Sequence, residues 1–142
     1  MARKSVRDYK IGEKASFTRT ITETDVVLFA GITGDMYPLH INTEFARRTR
    51  FGSRLVHGAL TAAYVSTALS MLQGSPHVDV TESVYLSQES RFIAPVRIGD
   101  TITATVEVSE VIPEKEIVLL STVVTNQKGE RVLEGNAALK LI

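Results

Sequence analysis

An α+β fold, in which an antiparallel sheet wraps around one long central helix, is predicted by three observations. Residues 58–72 are good helix formers with apolar side chains on nearly every face, and such a helix is normally enclosed by the rest of its protein. The second half of the chain holds four segments rich in Val, Ile, Thr and Leu, at residues 83–92, 101–111, 116–125 and 131–141, the composition of strands. Turn-forming residues separate those segments at 95–100, 113–115 and 126–129. Consecutive strands with such short connections pair antiparallel.

The first half supplies smaller elements. Residues 1–10 read as a loose lead-in, and residues 15–21 alternate apolar and polar side chains as a half-buried strand does. Thr22, Glu23, Thr24 and Asp25 have the form of a capping box, with Asp25 where Glu or Gln is commoner. A short helix follows, with Val26, Val27, Phe29 and Ala30 as its apolar face and Gly31 and Gly34 bringing it to an end. Pro38 pushes Tyr37 away from helical geometry, residues 43–48 form a further helical turn, and Gly52 marks a break. A strand, small helices, one long helix and a four-strand meander, in that order, make the hot-dog arrangement. All 142 residues fit one domain, which at this size buries roughly 70% of its unfolded surface.

Composition narrows the function classes. Sixteen acidic residues balance sixteen basic ones, so bulk charge draws the chain to neither nucleic acid nor a membrane surface. The absence of cysteine excludes disulfides, thiolate metal sites and cysteine nucleophiles. A polar, basic start with no apolar run behind it, and no apolar stretch long enough to span a bilayer, set a cytoplasmic location as the expectation. His40, His57 and His77 do not fall at metal-ligand spacing, and the sequence has no HExxH, GxSxG, P-loop or GxGxxG. No metal is therefore expected.

Asp35 and His40 are the first candidates for chemistry. Five steps along an ideal helix would leave them roughly 140° apart, so they converge only on non-helical backbone, which Pro38 promotes. An Asp and a His meeting over a cleft can divide general acid and base work. Equally, His40 can be a buried, hydrogen-bonded histidine and Asp35 a turn residue. His57 and Gly58 open the long helix, whose first N–H groups have no intrahelical acceptor and carry partial positive charge. A glycine there admits a ligand oxygen to the backbone, or merely allows a tight entry to the helix, with His57 a satisfied polar residue. Arg47, Arg48, Arg50 and Arg54 form either a solvated surface or a contact for phosphates. Tyr64 and Phe92 read as core.

The segment Phe29 to Ala46, FAGITGDMYPLHINTEFA, resembles the signature of the MaoC-like, or (R)-specific enoyl-CoA hydratase 2, family, which runs roughly Gly-Asp-x-Asn-Pro-Leu-His. The likeness continues through Leu55-Val56-His57-Gly58 to Phe92, Pro95-Val96 and Gly99-Asp100, and so covers nearly the whole chain. It implies (R)-specific hydration of trans-2-enoyl-CoA, or the reverse dehydration, with Asp35 and His40 as the acid–base pair. It also implies that Gly58 N–H binds the thioester oxygen and that Ser66 lies near the site. An acyl-CoA thioester would be the substrate, with no separate cofactor, in a homodimer or higher homo-oligomer. Tyr37 departs from the pattern, which has Asn there, and is a candidate for narrowing the acyl pocket. Two rivals stay open: a hot-dog acyl-CoA thioesterase, and a non-catalytic acyl-CoA-binding subunit of a hydratase complex.

Overall fold

The computed structural model describes residues 4–74 and 82–142. Strand β1 (Lys14–Thr20) leads into helix α1 (Glu23–Thr33), the single-turn helices α2 (Pro38–Ile41) and α3 (Thr43–Arg47), and the long helix α4 (Gly58–Gln73). Strands β2 (Ser83–Phe92), β3 (Thr101–Ile112), β4 (Ile117–Thr125) and β5 (Arg131–Leu141) complete the chain. Together the five strands form one antiparallel sheet in the order β1-β3-β4-β5-β2. The hot-dog fold expected from the sequence is the fold observed.

Period-two patterning places the core. Ile102, Ala104, Val106 and Val108 of β3, with Val118, Leu120 and Val124 of β4, are buried while their neighbours along each strand are more exposed. Against this face α4 sets Leu60, Val65, Ala68, Leu69 and Leu72. Each large aliphatic in that stripe contributes about 2 kcal/mol through burial. The enclosure of α4 is one-sided within this chain. Ala59, Ala63, Ser66 and Ser70 lie on its exposed face, where the sequence suggested apolar cover all round.

Helix α1 starts as expected: Thr22 Oγ1 accepts from Asp25 N–H at 3.3 Å, and Asp25 Oδ2 accepts from Thr22 N–H at 2.8 Å. Arg19 also pairs with Asp25, and its hydrogen bond holds that carboxyl below its ordinary range. Gly31 lies within the helix instead of ending it. Gly34 ends it, at φ 79°, with its N–H on the Ala30 carbonyl at 2.9 Å. Val26 and Ala30 are buried as the pattern predicted, whereas Val27 is exposed.

The described part of the lead-in docks on the sheet. Val6 and Tyr9 are buried, and Gly12 N–H and Glu13 C=O bond the backbone of Val108 at 2.8 and 2.9 Å. Its polar sequence hid this docking, because two apolar residues suffice to seat a short segment on a sheet. Gly135 is needed for a different reason. A Cβ there would lie 1.9 Å from the Glu89 carbonyl oxygen on β2, so only glycine lets the two strands come together.

Candidate active site

Met36 N–H reaches the Gly34 carbonyl at 3.0 Å, and Tyr37 N–H reaches Asp35 Oδ1 at 3.3 Å. These bonds hold the Asp35 carboxylate over its own turn. Tyr37 takes φ −55° and ψ 129°, and Pro38 then occupies the first position of α2. Pro38 therefore does two things: it keeps Tyr37 extended, and it starts the helical turn that carries His40. The sequence argument anticipated only the first.

A second segment, Leu55-Val56-His57, runs beside this loop. Leu55 N–H donates to the Leu39 carbonyl at 3.2 Å, His40 Nδ1 lies 2.8 Å from the Leu55 carbonyl, and His57 Nε2 lies 3.0 Å from the Asp35 carbonyl. A carbonyl oxygen only accepts, so each ring nitrogen facing one carries the proton. Nε2 of His40 is then left with its lone pair free. His57 is 1% exposed, stacks on His40 at 3.9 Å between centroids and 27° between planes, and meets Phe29 at 4.8 Å.

Asp35, His40 and His57 each place one donor atom within 4.8 Å of the others. Asp35 is exposed and His40 half-buried, so water reaches both. One water making two ordinary hydrogen bonds of about 2.8 Å spans a gap of this size. The same three donors also invite the question of a metal. A zinc ion needs nitrogen atoms about 2.0–2.1 Å away and pointing at it. Two stacked rings direct their in-plane lone pairs side by side, so His40 and His57 would have to unstack to share an ion.

Beside His40 opens a cavity of about 340 Å³, lined also by Arg50, Gly58, Thr61, Phe92 and Val96. Gly58 is the first residue of α4, and its N–H has no intrahelical acceptor. A Cβ on Gly58 would lie 3.0 Å from Phe92 Cε1 and 3.3 Å from Cδ1 and Cζ. The glycine thus makes room for the Phe92 ring, which covers the start of α4. Phe92 is 56% exposed and belongs to the cavity, not to the core. Its place at the end of β2, running into the Ile93–Val96 wall, explains the difference. Tyr64 does pack against the core.

The remaining candidates lie elsewhere. Tyr37 is 55% exposed and does not line the cavity; its ring meets His40 edge-on at 5.9 Å and Phe45 at 6.2 Å. Ser66 sits on the exposed face of α4, two turns beyond Gly58, outside the cavity formed by this chain. Arg54 pairs with Glu23 and Arg47 with Glu44, which leaves Arg50 as the arginine at the cavity. His77 lies outside the described residues. His57 and Phe92 are the site neighbours that sequence reasoning undervalued. A histidine directly before a helix-opening glycine, and an aromatic just before the Pro95 turn, were the available signals.

An exposed Asp and a half-buried His thus stand beside an apolar cavity near the start of α4, on a hot-dog sheet. The chain belongs to the MaoC-like domain family, whose model matches residues 7–129. It is 42% identical to an (R)-specific enoyl-CoA hydratase of Rhodospirillum rubrum, over 93% of this chain and 88% of that protein. A 3-hydroxybutyryl-CoA dehydratase of Methylorubrum extorquens is 40% identical, over 94% of this chain and 82% of the relative. Among solved structures, the (R)-hydratase of A. caviae superposes with a TM-score of 0.86 at 34% identity, covering 96% of this chain and 99% of that one.

Proposed function

We propose that this protein is a hydro-lyase that adds water to trans-2-enoyl-CoA to give (R)-3-hydroxyacyl-CoA, or removes it, with Asp35 and His40 as the acid–base pair. The observation that carries the reading is the meeting of those two side chains within the span of one water. A water held by the Asp35 carboxylate and His40 Nε2 is oriented for attack on C3 of an enoyl chain lying in the cavity. One of the pair takes a proton from that water as the C3–O bond forms, and the same proton goes to C2. Atoms and charge balance within the pair, so the step needs no metal and no redox cofactor. As the C3–O bond forms, negative charge moves onto the thioester oxygen. On this reading Gly58 N–H, at the positive end of α4 and on the cavity wall, is the donor that receives it.

The relatives support this assignment: the R. rubrum protein is named for hydration and the M. extorquens protein for dehydration, which are the two directions of one reaction. The test is loss of enoyl absorbance from crotonyl-CoA by purified protein, with Asp35→Asn and His40→Gln compared. Each substitution is expected to lower turnover by about 100-fold or more, and the double mutant little further, because the groups act as a unit. Release of free CoA thiol instead would make the protein a thioesterase. No turnover by the pure protein on any enoyl-CoA would favour a binding subunit.

We also propose that two copies associate along β2. That strand ends the sheet and exposes Val84, Tyr85 and Leu86, with Phe92 and Ile93 at its far end. An apolar edge strand with open backbone groups is suited to pairing with a second copy.

A further inference from the structure

We infer that His57 is a positioning residue for the hydratase reaction: it fixes the Asp35 loop and the His40 ring from inside the protein, without touching substrate. The inference rests on the acid–base reading of Asp35 and His40. Its support is a set of contacts that converge on one buried side chain. Nε2–H of His57 donates to the Asp35 carbonyl at 3.0 Å, across 22 residues of chain. The His57 ring backs the His40 ring at 3.9 Å and is backed in turn by Phe29 at 4.8 Å. Its own backbone caps α4, so the next N–H along the chain is that of Gly58. One rigid residue thereby sets the mutual position of carboxylate, imidazole and helix-start N–H.

The unpartnered atom of His57 points the same way. Nδ1 is buried and has no hydrogen-bond partner, a condition that normally costs stability. With Nε2 held by the Asp35 carbonyl and Nδ1 left without a partner, the neutral Nε2–H form is the one that fits. A neutral ring lets its stacked neighbour His40 take up and release the proton without a second charge beside it.

Two substitutions separate the hydrogen bond from the ring. His57→Phe keeps a stacked ring but loses the donor, whereas His57→Gln keeps an N–H near the Nε2 position and loses the ring. H57F is expected to lower kcat on crotonyl-CoA about 10- to 100-fold, the scale of a small misplacement of reacting groups, with KM within about twofold. H57Q is expected to recover most of that loss. Equal loss in both variants would show that the ring and the donor are both required, whereas wild-type kcat in H57F, or a change confined to KM, would overturn the inference. A readout independent of activity uses imidazole ¹⁵N NMR on the wild type, where His57 is expected as the Nε2–H tautomer. The amide signals of residues 34–37 should shift in H57F and stay in place in H57Q. A wild type inactive on every enoyl thioester would remove the hydratase reading alone. The opposite tautomer, or unmoved amides in H57F, would remove the positioning role alone.

Discussion

Replacing Gly58 with alanine adds one methyl group at a point where the structure leaves too little room for it. The new Cβ would stand 3.0 Å from Phe92 Cε1 and 3.3 Å from two further ring atoms, against an optimal carbon–carbon separation of about 3.5–4.0 Å. The ring must therefore retreat by roughly 0.5–1 Å. It is free to do so, because Phe92 is 56% exposed at the end of β2, and Gly58 already has helical backbone geometry that alanine adopts readily. Global stability should change by less than about 1 kcal/mol. The retreat, however, carries the ring across the cavity wall beside His40, and displacements of about 1 Å near reacting groups cost up to 100-fold. Gly58→Ala is thus expected to lower kcat/KM on crotonyl-CoA about 10- to 100-fold while its melting temperature holds. Phe92→Ala removes the obstacle, so the double variant should turn over about as fast as Phe92→Ala alone. Wild-type kcat/KM in Gly58→Ala would refute the reasoning. So would a double variant slower than Phe92→Ala by the full single-mutant factor, since the damage would then not pass through the ring.

Three further outcomes follow from particular contacts. Tyr37→Asn should lower the rates on crotonyl-CoA and octenoyl-CoA together, leaving their ratio within about twofold, because the Tyr37 ring braces His40 and does not line the cavity; a ratio raised tenfold would make it a ruler of chain length. Gly135→Ala should cost about 3 kcal/mol or more, visible as a fall in melting temperature of about 10 °C, because its Cβ meets backbone that cannot step aside. Asp25→Asn should destabilise by about 1 kcal/mol at pH 7 through the weakened cap. The Asp25 carboxyl is held low in the folded state, chiefly by Arg19. Its contribution is therefore complete above the unfolded value near 4 and is lost as pH falls through the lower folded value. The gap between wild type and Asp25→Asn in chemical denaturation should close over that acid range.

What was legible in the sequence was whatever depends on local period and turn chemistry. Strands β3 and β4 matched their alternation and β5 its apolar content, and the Thr22–Asp25 box marked the start of α1 to the residue. Gly31 misled because a glycine inside a helix costs about 1 kcal/mol, which neighbouring packing repays, while the left-handed turn that stops the helix falls on Gly34. Phe92 misled because residue type speaks for burial and strand position decides it. Its partner in the sheet, Leu133, is fully buried while Phe92 opens onto the cavity. The Asp35–His40 pairing was visible as a pattern, but nothing local could show the fifteen-residue reach from His40 to the Leu55 carbonyl.

That reach explains how a loop can hold Asp35 and His40 in a fixed relation to each other. Residues 35–40 make few regular hydrogen bonds of their own, and Asp35 stays open to water. Precision is supplied by residues 55–57, which bond Leu39, His40 and Asp35 in turn. Val56 N–H ties this segment to the Val96 carbonyl at 2.8 Å, and so to the chain leading into β3. The supporting segment is also the entry to α4, whose buried stripe is anchored in the core. The Gly58 N–H, the His57 donor and the Leu55 acceptor therefore sit on one continuous segment. Asp35 can thus stay open to water while its backbone and the His40 ring are held by partners that are themselves anchored.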